Sequence, residues 1–184
     1  MTGSPRITFT PLARDHFPLL ARWLAVPAVR AWWLSPEPTV AAVEADYGEV
    51  VDGTDPMKAF VVEVDGEPAG LVQSFRHAEE AEYDAEVGIP GVAGIDYLIG
   101  ETAHRGRGVG TAAVRAFAVQ VLGFYPDVSG VVAVPLRANR ASCRVLEKAG
   151  FRHVEDLDLD TGDPSDVGVN SVYLLARDAV ARTA

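Results

Sequence analysis

Residues 95–110 read Ile95-Asp96-Tyr97-Leu98-Ile99-Gly100-Glu101-Thr102-Ala103-His104-Arg105-Gly106-Arg107-Gly108-Val109-Gly110, an apolar strand-like run that ends in a glycine-rich loop. A long stretch of helical periodicity follows. Glycines at 106, 108 and 110 remove the side chains that would hold an anion away from the backbone. Their N–H groups, with the positive end of the following helix, form a site for phosphate oxygens. Arg105 and Arg107 add fixed positive charge. A nucleotide-like cofactor is implied, and two common classes are excluded. Gly110 precedes Thr111 without the lysine of a Walker loop, and Gly-x-Gly-x-Gly lacks the two-residue gap of the dinucleotide fingerprint.

Working outward, Ile7–Thr10 reads as a first strand, and Asp15 as the cap of a helix reaching Arg22 or Leu24. Pro27 opens a second short helix ending near Trp32-Trp33, and a third helix runs from Thr39 to about Val51. Lys58–Val64 and Ala69–Arg76 have strand character, and Asp65-Gly66 between them is a hairpin signal. The acidic segment Glu79–Glu86 reads as a loop, and Gly94–Ile99 as the next strand. A helix over Gly108–Leu122, a buried strand over Val131–Val134 and a helix over Asn139–Ala149 with Gly150 as its C-cap follow. Strands at Phe151–Leu157 and Ser171–Ala176, joined by a turn with Gly162 and Pro164, complete an α+β chain with a mixed sheet.

The 184 residues suit one domain over 1–184, without internal repeat or dividing linker. One cysteine, Cys143, cannot make an internal disulfide, and there is no long apolar span or signal-like N-terminus. A cytoplasmic, non-membrane protein is expected. The formal charge of −10 argues against nucleic acid and favours a cationic small molecule. Two acidic clusters stand out: Glu79, Glu80, Glu82, Asp84 and Glu86, then Asp156, Asp158, Asp160, Asp163 and Asp166. Four scattered histidines and the lone cysteine show no metal-ligand spacing, so no metal is expected.

Ile95–Ile99, the Arg105–Gly110 loop, Asn139 and Glu147-Lys148-Ala149-Gly150-Phe151 together resemble the Gcn5-related N-acetyltransferase superfamily. Arg105, Gly108 and Gly110 match its phosphate-loop pattern. Trp32-Trp33, Gly66–Gly70 with Gln73-Ser74-Phe75, and Gly91–Asp96 resemble its aminoglycoside 6'-N-acetyltransferases and the related siderophore-biosynthesis acyltransferases. The resemblance spans nearly the whole chain. It implies a mixed, mostly antiparallel sheet of about seven strands flanked by helices, with a splayed strand pair that binds acetyl-CoA.

The resemblance also assigns roles. The pyrophosphate of acetyl-CoA would lie over Arg105, Gly106, Arg107, Gly108, Val109, Gly110 and Thr111, at the start of the helix. Tyr97, Leu98 and Ile99 carry the strand edge that would pair with pantetheine and polarise the thioester carbonyl. Asn139 is either a pantetheine contact or only a helix cap. Asp96 is the expected base, removing a proton from the attacking amine directly or through water. Trp32, Trp33, Gln73, Glu82, Asp84, Asp96 and Asp163 are the expected contacts of the amine substrate. The protein would act as a monomer or homodimer.

Two positions depart from that pattern. Leu146 stands where many members carry a tyrosine proposed to protonate the leaving thiolate, and leucine donates no proton. Val134 stands where the aminoglycoside enzymes place an aspartate before the proline that ends the strand. The first expectation is therefore acetyl transfer to a cationic amine, an aminoglycoside foremost. A siderophore-type acyltransferase, with His77 as its nearest candidate histidine, and a silent acyl-CoA sensor are the alternatives.

Overall fold

The structure is a computed structural model that describes residues 5–34, 36–159 and 161–181. Seven strands form one sheet in the order β1-β2-β3-β4-β5-β7-β6: β1 (Ile7–Pro11), β2 (Lys58–Val64), β3 (Glu67–Arg76), β4 (Val92–Ile99), β5 (Gly130–Ala133), β6 (Arg152–Asp158) and β7 (Val169–Ala176). The β4–β5 pair is parallel, whereas β1–β2, β5–β7 and β6–β7 are antiparallel. The α+β reading and its mixed, mostly antiparallel sheet are thus borne out. Asp65 and Gly66, at φ 54° and 90°, make the two-residue turn between β2 and β3. Two successive left-handed residues give the turn whose twist suits a hairpin.

Two compact units share the chain: one formed by the chain up to Gln73 with Tyr97–Ala113, the other by Ser74–Asp96 with the chain from Val114. In the first, α1 (Phe17–Leu24), α2 (Pro27–Arg30) and α3 (Val40–Asp52) bury Phe17, Leu20, Trp23, Leu24, Val29, Val43 and Tyr47 with Val61, Leu71 and Leu98 of the strands. Phe17, Leu20 and Leu24 recur at helical spacing, which supplies the apolar stripe. Thr39 Oγ1 accepts from Ala42 N at 3.2 Å to cap α3, and Gly53 ends it at φ 74°. Asp15 does not cap α1. It lies inside a 3-10 turn, Arg14–His16, where His16 Nδ1 accepts from Ala13 N at 3.0 Å and Pro18 opens the helix proper. Arg14 is itself tied to Glu44 and Asp52 of α3, which uses that surface for charge pairing.

Backbone approach in this unit demands glycine at two places. A Cβ at Gly70 would sit 2.1 Å from Leu98 O, so β3 and β4 lie close there. A Cβ at Gly100 would sit 2.1 Å from Trp23 Cγ, because the indole packs flat against the end of β4. Trp23 Nε1 then donates to Glu101 Oε1 at 2.8 Å.

In the second unit Val87, Val92, Val132 and Val172 form a buried cluster around which β4, β5 and β7 register. The segment Glu79–Glu86 is not a loop. His77–Glu79 form a 3-10 turn and Ala81–Val87 form α4. Tyr83 and Val87, four apart, turn one face to the core while Glu82 and Glu86 face outward, and the acid run had masked that short periodicity. α5 (Val109–Phe124) ends where Arg177 donates to the carbonyls of Leu122, Tyr125 and Val128. α6 (Arg140–Ala149) ends at Gly150, φ 103°, as the sequence predicted.

Replacing Gly100 by alanine forces the indole or the strand to move, and a loss of about 1–3 kcal/mol is expected from overpacking. Gly123→Ala, in α5 with open space around its Cα, should instead gain up to about 1 kcal/mol. Urea denaturation of the two variants checks both signs.

Candidate active site

The glycine loop is shaped by its own neighbours. Arg105 Nε donates to Ile99 O at 2.9 Å and its Nη2 to Gly100 O at 2.7 Å, so its guanidinium folds back onto the end of β4. This fork fits two successive carbonyls in a way a lysine would not. Gly106 and Gly108 take φ 70° and 83°, and nothing lies within 4 Å of a Cβ built at either. Both positions therefore face open space. Val109 is buried with Val64 and Ala69, which fixes where α5 starts. Its first-turn amides at Val109, Gly110 and Thr111 have no partner within the helix. Arg107 is exposed and places a positive charge on the loop. Tyr97 and Ile99 are half-buried on β4, and Leu98 is buried in the core.

Gln73, on β3 and nearly buried, accepts a hydrogen bond from Tyr47 Oη at 2.8 Å. Of the two tryptophans, Trp33 packs against the α1–α3 core and Trp32 is 38% exposed. Adjacent residues of a helical turn cannot share one interior, and here it is Trp32 that reaches solvent.

Asp96 stands half-buried on β4, a strand otherwise lined by buried residues up to that point. Tyr83 lies in the field of the Asp96 and Asp166 carboxylates, and burial together with those charges holds its phenol protonated, well above its ordinary range. Burial likewise pushes the Asp166 carboxyl up, against a 2.6 Å hydrogen bond from Thr161 Oγ1. Asp163 is turned to backbone work: its Oδ1 accepts from Ser165 N at 2.7 Å. Glu82 is exposed and Asp84 half-buried. Asp160 lies outside the described residues, and Asp156 is taken up by Ser171, His153 and Arg137. Asp96 and Asp166 thus each act on Tyr83, while Glu82 and Asp163 line the outer surface. Tyr83 was missed by sequence reading; its spacing to Val87 was the available signal.

His77 is fully buried in its 3-10 turn rather than displayed on a loop, stacked on Phe75 at 5.6 Å and edge-on to Tyr83 at 5.1 Å. Burial lowers its pKa to about 4, only partly offset by Asp84. A Cβ at Gly94 would lie 2.5 Å from the Phe75 ring, so this aromatic group rests directly on β4 two residues before Asp96. In the other part of this unit, Asn139 Oδ1 accepts from Ser142 N at 3.2 Å and caps α6. Leu146 is fully buried, and the nearby Tyr173 hydroxyl donates to Glu147 Oε1 at 3.2 Å. Among the described residues no group of three or more His, Cys, Asp or Glu side chains could hold a metal ion, and no helix is long and apolar enough to cross a membrane.

The family model described as "Acetyltransferase (GNAT) domain" matches residues 13–159. The chain is 31% identical over 148 residues to aminoglycoside N(6')-acetyltransferase type 1 of Klebsiella pneumoniae and, to the same degree, of Serratia marcescens, covering 79% of this chain and 73% of each relative. The solved structure of AAC(6')-Ib with paromomycin and acetyl-CoA superposes with a TM-score of 0.79 at 28% identity, over 96% of this chain and 97% of that one. The same protein with coenzyme A and kanamycin gives 0.78 at 27% identity, over 97% and 99%.

The buried imidazole has a thermodynamic consequence. His77 takes a proton more readily in the unfolded chain, at its ordinary pKa of about 6.5, than in the folded one, at about 4. Folded stability is therefore lost as pH falls from 6.5 toward 4, by roughly 2 kcal/mol between pH 7 and 5. His77→Phe should remove that part of the acid sensitivity. Urea midpoints of both proteins across this range measure it, and identical slopes would contradict the burial.

Proposed function

The chain belongs to the GNAT acetyltransferases, and from that premise we propose that it transfers an acetyl group from acetyl-CoA to an amine of a small cationic acceptor, most specifically the 6'-amine of an aminoglycoside. The observation that carries the reading is the open glycine loop at residues 105–110; within the other unit, the carboxylates of Asp96 and Asp166 near Tyr83 support a cationic acceptor. The relatives' names support the acceptor, and the net charge of −10 supports a cation.

The loop fits the coenzyme's pyrophosphate. Gly106 and Gly108 leave open space where side chains would stand, and the first-turn amides of α5 point their N–H groups outward. Residues 105–111 would hold the phosphates, with Arg107 supplying charge and Arg105 fixing the backbone. The edge of Tyr97–Ile99 would hold the pantetheine arm, and Asn139 combines its capping role with a contact to it. When bound, acetyl-CoA supplies the thioester carbonyl that the amine attacks.

Asp96 performs the step that the chemistry requires. An ammonium has no lone pair, so its proton must leave first, and a carboxylate that also attracts the cation can accept it directly or through water. Tyr83, protonated, and Asp166 orient the amine from the same side. Trp32, Trp33, Gln73, Glu82, Asp84 and Asp163 complete the acceptor contacts in this reading, within a single acetyltransferase domain over 1–184. Leu146 donates no proton, so the leaving thiolate takes one from solvent. That leucine is also the observation behind a second reading, a silent acyl-CoA-binding domain. The siderophore-type alternative loses its support, because His77 is buried.

A thiol-release assay with acetyl-CoA and a panel of aminoglycosides, polyamines and hydroxylated lysine derivatives tests the proposal. Turnover with aminoglycosides is expected, and Asp96→Asn should cut kcat/KM about 100-fold or more while coenzyme affinity stays within about twofold. Coenzyme binding without turnover of any amine would favour the silent domain. Gly108→Glu should abolish coenzyme binding under both readings; unchanged affinity would overturn the role of the loop.

A further inference from the structure

Five buried side-chain polar atoms lack a hydrogen-bond partner among the described residues; three of them belong to His77 and Asp84, and Nδ1 of His77 faces Oδ1 of Asp84. Leaving such atoms unpaired is costly, so a concentration of them marks a place built for something other than packing. His77 Nδ1 lies 3.7 Å from Asp84 Oδ1. The imidazole side chain is 1% exposed and the carboxylate side chain 29% exposed. One oxygen of Asp84 is thus turned inward to the histidine, and the rest of the carboxylate reaches solvent.

The setting is aromatic and acidic. His77 stacks on Phe75 and meets the edge of Tyr83, which follows Glu82 and precedes Asp84 on α4. Tyr83 in turn lies in the field of Asp96 and Asp166. Ring faces and carboxylates in this arrangement suit an ammonium, which is attracted by both. A neutral imidazole beneath Asp84 can donate Nδ1–H to the inward oxygen once the gap closes by less than an ångström. That leaves the outward oxygen to accept from a ligand.

We propose that Asp84 is a second ammonium-binding carboxylate of the acceptor site, and that His77 is the positioning residue that orients it from beneath, so that the preferred acceptor carries a second amine besides the one Asp96 deprotonates. This rests on the assignment of Asp96 to the reacting amine. Without His77 the Asp84 carboxylate loses its inner partner and its fixed direction. The acceptor then loses the charge-assisted bond that distinguishes a polyamine from a monoamine. Because the bond forms in the ground state and in the transition state alike, it sets KM rather than kcat.

The test compares neamine, which has several amines, with 6-amino-6-deoxyglucose, which has one, as acceptors for the wild type, Asp84→Asn, His77→Phe, His77→Asn and the Asp84→Asn/His77→Phe double variant. Asp84→Asn and His77→Phe should each raise KM for neamine about tenfold, leaving kcat, KM for acetyl-CoA and KM for the monoamine unchanged. The double variant should be no worse than Asp84→Asn alone, because both remove one device. Asparagine at 77 places an amide N–H near the Nδ1 position and should restore most of the neamine affinity. In the wild type, the His77 ring signals in ¹⁵N NMR should move on saturation with neamine and stay put with the monoamine, a readout that survives poor folding of any variant. Multiplicative KM effects in the double variant, equal losses for both acceptors, or an unmoved His77 ring would each overturn the proposal. Those outcomes leave the acetyl-transfer reading standing. Absence of turnover and of binding with every amine in the wild type would bring down both.

Discussion

The grip of the Arg105 guanidinium on the carbonyls of Ile99 and Gly100 is the interaction on which the rest of the candidate site depends. It turns the chain back at the end of β4, so that the glycines that follow can enter left-handed conformations before α5 begins. Gly100 supports the same point from the other side, because only a glycine allows the Trp23 indole to lie against it. Glu101 then accepts from Trp23 and from Arg22, which secures the residue after the strand. Such contacts restrict the backbone of the loop, and restricted amides lose little entropy on meeting an anion.

The second concentration of physics lies around Asp96. Tyr83, which feels its charge, and Asp166, which also acts on Tyr83, are both displaced toward their protonated forms, by burial first and then by nearby carboxylate charge. Negative potential of this kind favours a cation, and in the proposed reading Asp96 takes its proton. Phe75 and His77 make the floor of this arrangement, and the tight contact of Phe75 on Gly94 ties that floor to the strand bearing Asp96.

Much of this was legible in the sequence, for definable reasons. The β2–β3 turn followed from Asp65-Gly66, and the end of α6 from Gly150, because backbone conformations that only a few residues tolerate announce themselves locally. The order of strands and helices followed from apolar periodicity. The run Glu79–Glu86 concealed α4, since a seven-residue helix offers only Tyr83 and Val87 as apolar markers among its acids. Arg105 was read as a phosphate ligand because charge is visible in a sequence and a backbone carbonyl partner is not. The burial of His77 was equally hidden: nothing in His77-Ala78-Glu79 distinguishes a histidine under aromatic rings from one in solvent. Tertiary contact, not local pattern, decides all three.

In the proposed coenzyme site Arg105 positions the backbone of the loop, and Arg107 and the amides are left to meet the phosphates. Calorimetric titration of coenzyme A into the wild type and Arg105→Met over a range of salt concentrations addresses this division of roles most directly. A residue that only positions the backbone should, when removed, weaken binding about tenfold without changing how steeply affinity falls with salt, since no direct charge contact is lost. A shallower salt dependence in Arg105→Met, or affinity equal to that of the wild type, would contradict the account.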